Sequence, residues 1–211
     1  MSDLILRIIG LTGGIATGKT AISNYLGDRY GWRILDADIY AREVVCPGSP
    51  ILSSIVERYG AGVLLPDGNL NRPELGNIIF CNPAERQWLE QQIHPEVRHR
   101  FVEATHSYIG RSPLVSTNTL PLVLAVPLLF EANMTDLCTE IWVVYCSPSV
   151  QLERLMKRDG LSVDLANSRI NSQFPLEQKC QKADVVLDNS SSLDSLFVQV
   201  DAIISRFKIL P

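Results

Sequence analysis

Eight residues near the N-terminus, Gly13-Gly14-Ile15-Ala16-Thr17-Gly18-Lys19-Thr20, fit the pattern G-x-x-x-x-G-K-[ST] at every fixed position. In this pattern the glycines let the backbone turn tightly, so that several N–H groups point at one phosphate. The helix that follows adds the positive end of its dipole. The chemistry implied is the holding of a nucleoside triphosphate. Lys19 would reach the β- and γ-phosphates, the Thr20 hydroxyl would bind Mg²⁺, and residues 13–21, Ala21 included, would make up the ATP-binding loop. The bland alternative is a glycine-rich turn, and the strand–loop–helix setting described below argues against it.

Three further places carry candidate chemistry, each with an ordinary structural alternative. Asp36 or Asp38 could accept the proton of an attacking hydroxyl or hold Mg²⁺ through water, or simply cap the helix that begins near Ile39. The stretch Gln151-Leu152-Glu153-Arg154-Leu155-Met156-Lys157-Arg158-Asp159 is a cationic helix end. It suits a lid whose arginines close over ATP, or a solvated face with Glu153 and Lys157 at i,i+4 spacing. His94, between Ile93 and Pro95, is either a ligand-binding side chain or a structural histidine at a helix start.

These residues need elements to position them. Ile5-Leu6-Arg7-Ile8-Ile9 reads as a buried strand, and Lys19 to Tyr30 as a helix with Ile22, Tyr25 and Leu26 on one face. Trp32 to Leu35 reads as a second strand, and Ala41 to Val45 as a helix stopped by Cys46-Pro47-Gly48-Ser49-Pro50. Asn82-Pro83-Ala84-Glu85 predicts a capping box opening a helix, with His94-Pro95 separating it from the next one. Strands follow at Leu122 to Val126, Ile141 to Tyr145 and Val185 to Leu187. Helices are expected from Ser149 to Arg158 behind a Ser147-Pro148 cap, after Ser162, and from Leu193 to Phe207. Such alternation predicts an α/β fold with a parallel sheet covered on both faces and ligands at the C-terminal strand ends.

Composition narrows the class. The 211 residues are 46% hydrophobic and 20% charged, with a net charge of −4. That suits a globular protein without the basic field that nucleic acid demands. The cysteines Cys46, Cys81, Cys138, Cys146 and Cys180 are odd in number and never at C-x-x-C spacing, which speaks for reduced thiols in a cytoplasmic protein. The longest apolar run, Leu120 to Phe130, holds two prolines and is too short for a bilayer span.

Taken together, the motifs resemble one family, the dephospho-CoA kinases. The matching stretches are Gly10 to Thr20, Leu35-Asp36-Ala37-Asp38, Ile93-His94-Pro95, Val126-Pro127-Leu128-Leu129-Phe130-Glu131, Gln151 to Arg158, Arg169-Ile170 through Gln173 to Lys179, and Ala183-Asp184 with Val186 to Ser190. The resemblance implies a P-loop, nucleoside-monophosphate-kinase-like three-layer fold with a five-stranded parallel sheet, a helical acceptor subdomain and a lid. It implies a single kinase domain over 1–211, with its core at about 1–59, 115–150 and 183–211, the acceptor subdomain at about 60–110 and the lid at about 151–182. The activity implied is transfer of the γ-phosphate of ATP to the ribose 3′-hydroxyl of dephospho-CoA, the last step of coenzyme A biosynthesis.

By the same resemblance Asp38 is the catalytic base, Lys19 and Arg158 are catalytic cations, Asp38, His94 and Leu128 meet the acceptor, and Thr20 is the Mg²⁺ ligand. The expected partners are ATP and dephospho-CoA, with no nucleic acid and no membrane, for a monomer or weak homo-oligomer. Three positions depart from the family pattern. Ala16 replaces a usual glycine and gives up freedom at positive φ. Ala21 stands where many members carry threonine, and Cys180 where a basic residue is common. Residues Ser116 to Thr119 read as a lengthened loop. Two rival readings are a P-loop kinase of another small hydroxyl substrate and a non-enzymatic nucleotide-sensing module.

Overall fold

The computed structural model describes residues 6–80, 82–110 and 120–207; the loop expected at 116–119 lies outside them. The chain opens with strand β1 (Ile8–Gly13), helix α1 (Lys19–Tyr30) and strand β2 (Arg33–Asp36). Helices α2 (Ala37–Glu43), α3 (Pro50–Tyr59), α4 (Arg72–Phe80) and α5 (Pro83–Gly110) follow. Then come β3 (Leu122–Ala125), β4 (Glu140–Tyr145), α6 (Pro148–Asp159), α7 (Val163–Asn171), α8 (Leu176–Gln181), β5 (Val185–Asp188) and α9 (Leu193–Phe207). The chain divides into two compact units, Asp36–Tyr108 and the remainder on either side of it.

The first unit is built on a five-stranded parallel sheet in the order β2-β3-β1-β4-β5. Pairing on both sides of β1, such as Gly10 with Leu124 and Thr12 with Val143, draws the strand on to Gly13. Among the described residues it therefore starts at Ile8 and runs further than the Ile5 to Ile9 run suggests, Ile5 itself lying outside them, because the ladder continues through glycines that carry no strand signal of their own. β2 is two places from β1, with β3 between them.

One core cluster joins Ile9, Leu11, Val123, Trp142 and Val144 of the sheet to Ile22 and Leu26 of α1 and to Leu196, Val200 and Ile204 of α9. The helical members recur four residues apart, the spacing of one helix face. Each fully buried side chain of this size contributes about 1.5–3 kcal/mol. At the rim, the Tyr25 and Tyr30 hydroxyls both donate to Asp201 at 2.7 Å, and Tyr25 stacks on Phe197 at 4.0 Å between centroids. Burial, with Asp201 beside it, pushes the Tyr25 hydroxyl up to about 12, so it remains a donor at neutral pH.

Within the second unit three expectations are corrected. α2 begins at Ala37, four residues early, because Asp36 caps it: its Oδ1 accepts from the Asp38 N–H at 2.8 Å. Asn82 caps α5 as expected, its Oδ1 accepting from Ala84 and Glu85 N–H groups. The Glu85 side chain, though, is drawn to Arg58, with contacts of 2.7 and 2.9 Å, and to the Tyr59 hydroxyl at 2.7 Å. A bidentate guanidinium outcompetes a single backbone N–H for a carboxylate. Finally, α5 runs unbroken through His94-Pro95. Proline removes one helical hydrogen bond and strains the turn before it, at a cost of about 3 kcal/mol. Burial of Leu89 on one side of it and of Val97 and Phe101 on the other holds the helix together.

Candidate active site

The loop leaves the central strand and ends in α1, whose N-cap is Gly18 at φ 104 with no side-chain cap. A Cβ on Gly18 would strike the Asn189 amide. Only glycine combines that backbone angle with so close a neighbour. The uncapped helix start offers its backbone donors and positive dipole end to an anion. Lys19, the first helical residue, is half-buried, and Thr20 beside it is exposed.

Ala16 lies at φ 61. The position therefore demands the left-handed conformation that the sequence reading expected an alanine to give up. A Cβ there costs roughly 1–2 kcal/mol, partly offset in a glycine variant by the larger chain entropy of the unfolded state. Ala16→Gly is expected to raise stability by about 1 kcal/mol, seen as a higher urea midpoint at unchanged slope. A lower midpoint would contradict the strain.

Side chains from remote elements grip the loop. Gln151 of α6, almost fully buried, donates from Nε2 to the Ile15 carbonyl at 2.9 Å. Gln173, between α7 and α8, accepts from the Ile15 N–H at 2.7 Å. Asn189, just past β5, donates from Nδ2 to the Thr17 carbonyl at 2.8 Å. Lys179 of α8 has no exposed surface; its Nζ reaches Glu131 Oε1 at 2.8 Å, the Pro127 carbonyl at 3.2 Å and the Gly13 carbonyl at 3.4 Å. Glu131 also accepts from the Phe174 N–H at 2.8 Å, and the Thr12 hydroxyl donates to the Pro127 carbonyl at 3.1 Å. The segment after β3, the last turn of α8 and the root of the loop are thus one polar cluster around an ion pair whose lysine is buried. A cleft of about 260 Å³ beside it is lined by Gly14, Gln151, Gln173 and the α7–α8 link.

The cationic helix end is divided. Arg154 donates to the carbonyls of Asn189 and Ser191, which makes it a brace for the segment after β5. Arg158 projects from the end of α6, its side chain 56% exposed, and makes a two-point contact with Asp159 at 2.7 and 3.1 Å. Arg169 meets the same carboxylate at 2.9 Å. The Arg158 guanidinium holds the Asp159 carboxyl below its usual range.

The loop residues 13–21, Arg158 and Leu128 all belong to the first unit, Leu128 half-buried in the turn after β3. Asp36, Asp38 and His94 belong to the second. There Asp38 is exposed in the first turn of α2 while Asp36 is spent on the cap, and His94 is half-buried inside α5. Gln151, Gln173, Lys179, Glu131 and Asn189 received no role from the sequence, since their contacts join residues far apart in the chain. Among the described residues no three His, Cys, Asp or Glu side chains converge as a metal site. None of the described helices is long and apolar enough to cross a membrane.

A sequence model of the family described as Dephospho-CoA kinase matches residues 7–195. The chain belongs to the dephospho-CoA kinase family. A dephospho-CoA kinase of Trichormus variabilis is 59% identical over 196 residues, which cover 92% of this chain and 95% of that relative. One from Synechococcus elongatus is 50% identical over 204 residues, covering 97% and 94%. The solved structure of a dephospho-CoA kinase from Campylobacter jejuni superimposes with a TM-score of 0.69 at 25% identity, covering 97% of this chain and 98% of that one. The dephospho-CoA kinase match takes in the loop, Asp38, His94, the end of β3, α6 to α8 and Asn189, so every candidate residue named above lies inside it.

Proposed function

We propose that this chain transfers the γ-phosphoryl group of ATP to the ribose 3′-hydroxyl of dephospho-CoA, giving coenzyme A and ADP in the last step of coenzyme A biosynthesis. The observation that carries the acceptor is the family match, which runs from residue 7 to residue 195 without being confined to the loop. It also sets aside the nucleotide-sensing alternative. The donor is supported independently by the anion-binding geometry of the loop and the uncapped start of α1.

In the reaction the 3′-hydroxyl oxygen forms a bond to the γ-phosphorus while the bond from that phosphorus to the ADP oxygen breaks. The hydroxyl proton passes to the Asp38 carboxylate. Lys19 and those amides of the loop, residues 13–21, that are not spent on the protein hold the phosphates. Arg158 exchanges its Asp159 partner for the transferring group and offsets charge there. The helices of about 60–110 receive the acceptor, with Asp38, His94 and Leu128 as the residues that meet it, and residues 151–182 serve as the lid. Thr20, an exposed residue, offers one hard oxygen with no carboxylate cage among the described residues, a donor set suited to Mg²⁺, which keeps several waters and takes other ligands from nucleotide phosphates. When bound, Mg²⁺ supplies charge neutralisation on the β- and γ-phosphates. The working form is a monomer or weak homo-oligomer in the cytoplasm.

Incubation with ATP, Mg²⁺ and dephospho-CoA should add the mass of one phosphoryl group to the acceptor, with one ADP formed per product. No mass gain, with ADP formed equally in the absence of acceptor, would overturn the assignment.

A further inference from the structure

A trans peptide points its carbonyl and the next residue's N–H in opposite directions, so a carbonyl that is held fixes the amide after it. The described residues contain no cis peptide bond. Within the loop two alternate carbonyls are held from the protein side: that of Ile15 by Gln151 and that of Thr17 by Asn189. Both side chains are at least nine-tenths buried. The amides that follow, those of Ala16 and Gly18, are turned the other way. Ala16 and Gly18 are also the two residues of the loop with positive φ, at 61 and 104. Left-handed residues are one half of the αR–αL alternation by which backbone N–H groups form anion-binding concavities. The amide before Ala16, that of Ile15, goes to Gln173, and the amide between Ala16 and Gly18, that of Thr17, goes to the Gly14 carbonyl at 3.3 Å. The N–H groups from Ile15 to Gly18 are therefore sorted, two toward the protein and two outward.

The two anchors are tied to each other. Gln151 and Arg154 lie three residues apart on α6, and Arg154 donates to the Asn189 backbone carbonyl at 2.9 Å. Asn189 is in turn seated on β4 by its N–H, which donates to the Tyr145 carbonyl at 2.7 Å. One helix thus holds both carbonyl anchors in register, and Lys179 holds the loop's root through the Gly13 carbonyl.

We propose that Gln151 and Asn189 are positioning residues for phosphoryl transfer. By gripping the carbonyls of Ile15 and Thr17 they hold the N–H groups of Ala16 and Gly18 ready for the phosphates of ATP before the nucleotide arrives. Preorganised donors need no reorientation when the anion binds, which is the source of their strength. This rests on the reading of the loop as the triphosphate site. Neither side chain touches the nucleotide in this scheme; each acts through one peptide plane.

The test uses the full chain with Gln151→Met, which keeps length and volume but removes the donor, and Asn189→Leu, which does the same at the second anchor. Far-UV circular dichroism and cooperative unfolding establish that a variant is folded, and either folded variant suffices. Binding of ADP and of inorganic tripolyphosphate is measured by titration calorimetry, alongside steady-state kinetics. The expected result is a dissociation constant for both probes raised about tenfold, equivalent to roughly 1.4 kcal/mol. KM for ATP should rise with it, while KM for dephospho-CoA stays within twofold. A general loss of structure would raise both KM values together, and that outcome overturns the proposal. So does an unchanged affinity for ADP and tripolyphosphate in a folded variant. If neither variant folds, the anchors are structural and the proposal fails. If the unaltered chain itself binds neither probe, it is the reading of the loop that falls.

Discussion

Lys19→Ala is expected to lower kcat/KM for ATP by about 10³-fold, with most of the loss in kcat. Lys19 is the first residue of α1 and the only cation within the loop. Its stem is half-buried at the point where the chain turns from loop to helix, which limits the directions its ammonium can take. In the proposed reaction the amides of the loop are dipoles that would hold phosphate in the ground state as well as in the transition state. A mobile full charge is different, because it can follow the charge that builds on the bridging oxygen as the bond to ADP breaks. Its loss should therefore fall on turnover more than on binding. ADP affinity should weaken by no more than about tenfold, the scale of one charge-assisted hydrogen bond. Lys19→Arg should not restore activity, since a planar fork cannot replace a compact ammonium in a closed loop. Rapid-quench measurement of the phosphoryl step checks this directly. A turnover number unchanged in Lys19→Ala would rule out the phosphate role.

Asp38→Asn is expected to bind ADP as the unaltered chain does and to transfer phosphate 10²- to 10⁴-fold more slowly, the usual worth of a positioned general base. The companion change Asp36→Asn is expected to be close to neutral. The sequence leaves the two aspartates interchangeable, as each is either cap or base. The structure distinguishes them: Asp36 Oδ1 accepts the Asp38 N–H at 2.8 Å and Asp36 is the N-cap of α2, while the Asp38 side chain is exposed in the first turn. Asparagine caps as well as aspartate, so the cap survives the change at Asp36, whereas asparagine cannot take up a proton at position 38. Steady-state assays of the two variants at saturating ATP separate the roles. Near-normal transfer by Asp38→Asn, or a collapse of transfer in Asp36→Asn, would move the base assignment away from Asp38.

Much of this was legible in the sequence where the determinants are local. The bounds of α1 and α9 agree with their apolar spacing, because each helix has a single stripe facing one core. The loop is legible because its chemistry lies in consecutive backbone groups, and the residue types that permit such a path are few. Even Ala16, an exception to that list, takes a positive φ of 61 between the gripped carbonyls of Ile15 and Thr17. The family resemblance, spread over the length of the chain, agrees with the family match.

Other features were settled by contacts that no short window of sequence contains. Pro95 reads as a break and lies inside a helix, because Val97 and Phe101 are buried beyond it. Glu85 reads as half of a capping box and instead joins Arg58 and Tyr59. The insertion of β3 between β1 and β2 is a matter of which strands pair, and alternation of elements is the same for every order.

The phosphate loop shows the division most clearly. From its own eight residues the sequence pointed to a nucleoside triphosphate, since glycine, lysine and threonine at those spacings are the phosphate-loop pattern. What holds the loop in shape was decided only by the tertiary structure. Gln151 lies 136 positions from Ile15, Lys179 lies 166 from Gly13, and Asn189 lies 172 from Thr17. A single polar side chain meeting a single backbone carbonyl across such a distance leaves no periodicity and no motif. It is fixed only when parallel pairing of β1 with β4, and of β4 with β5, brings the ends of those strands to one edge of the sheet.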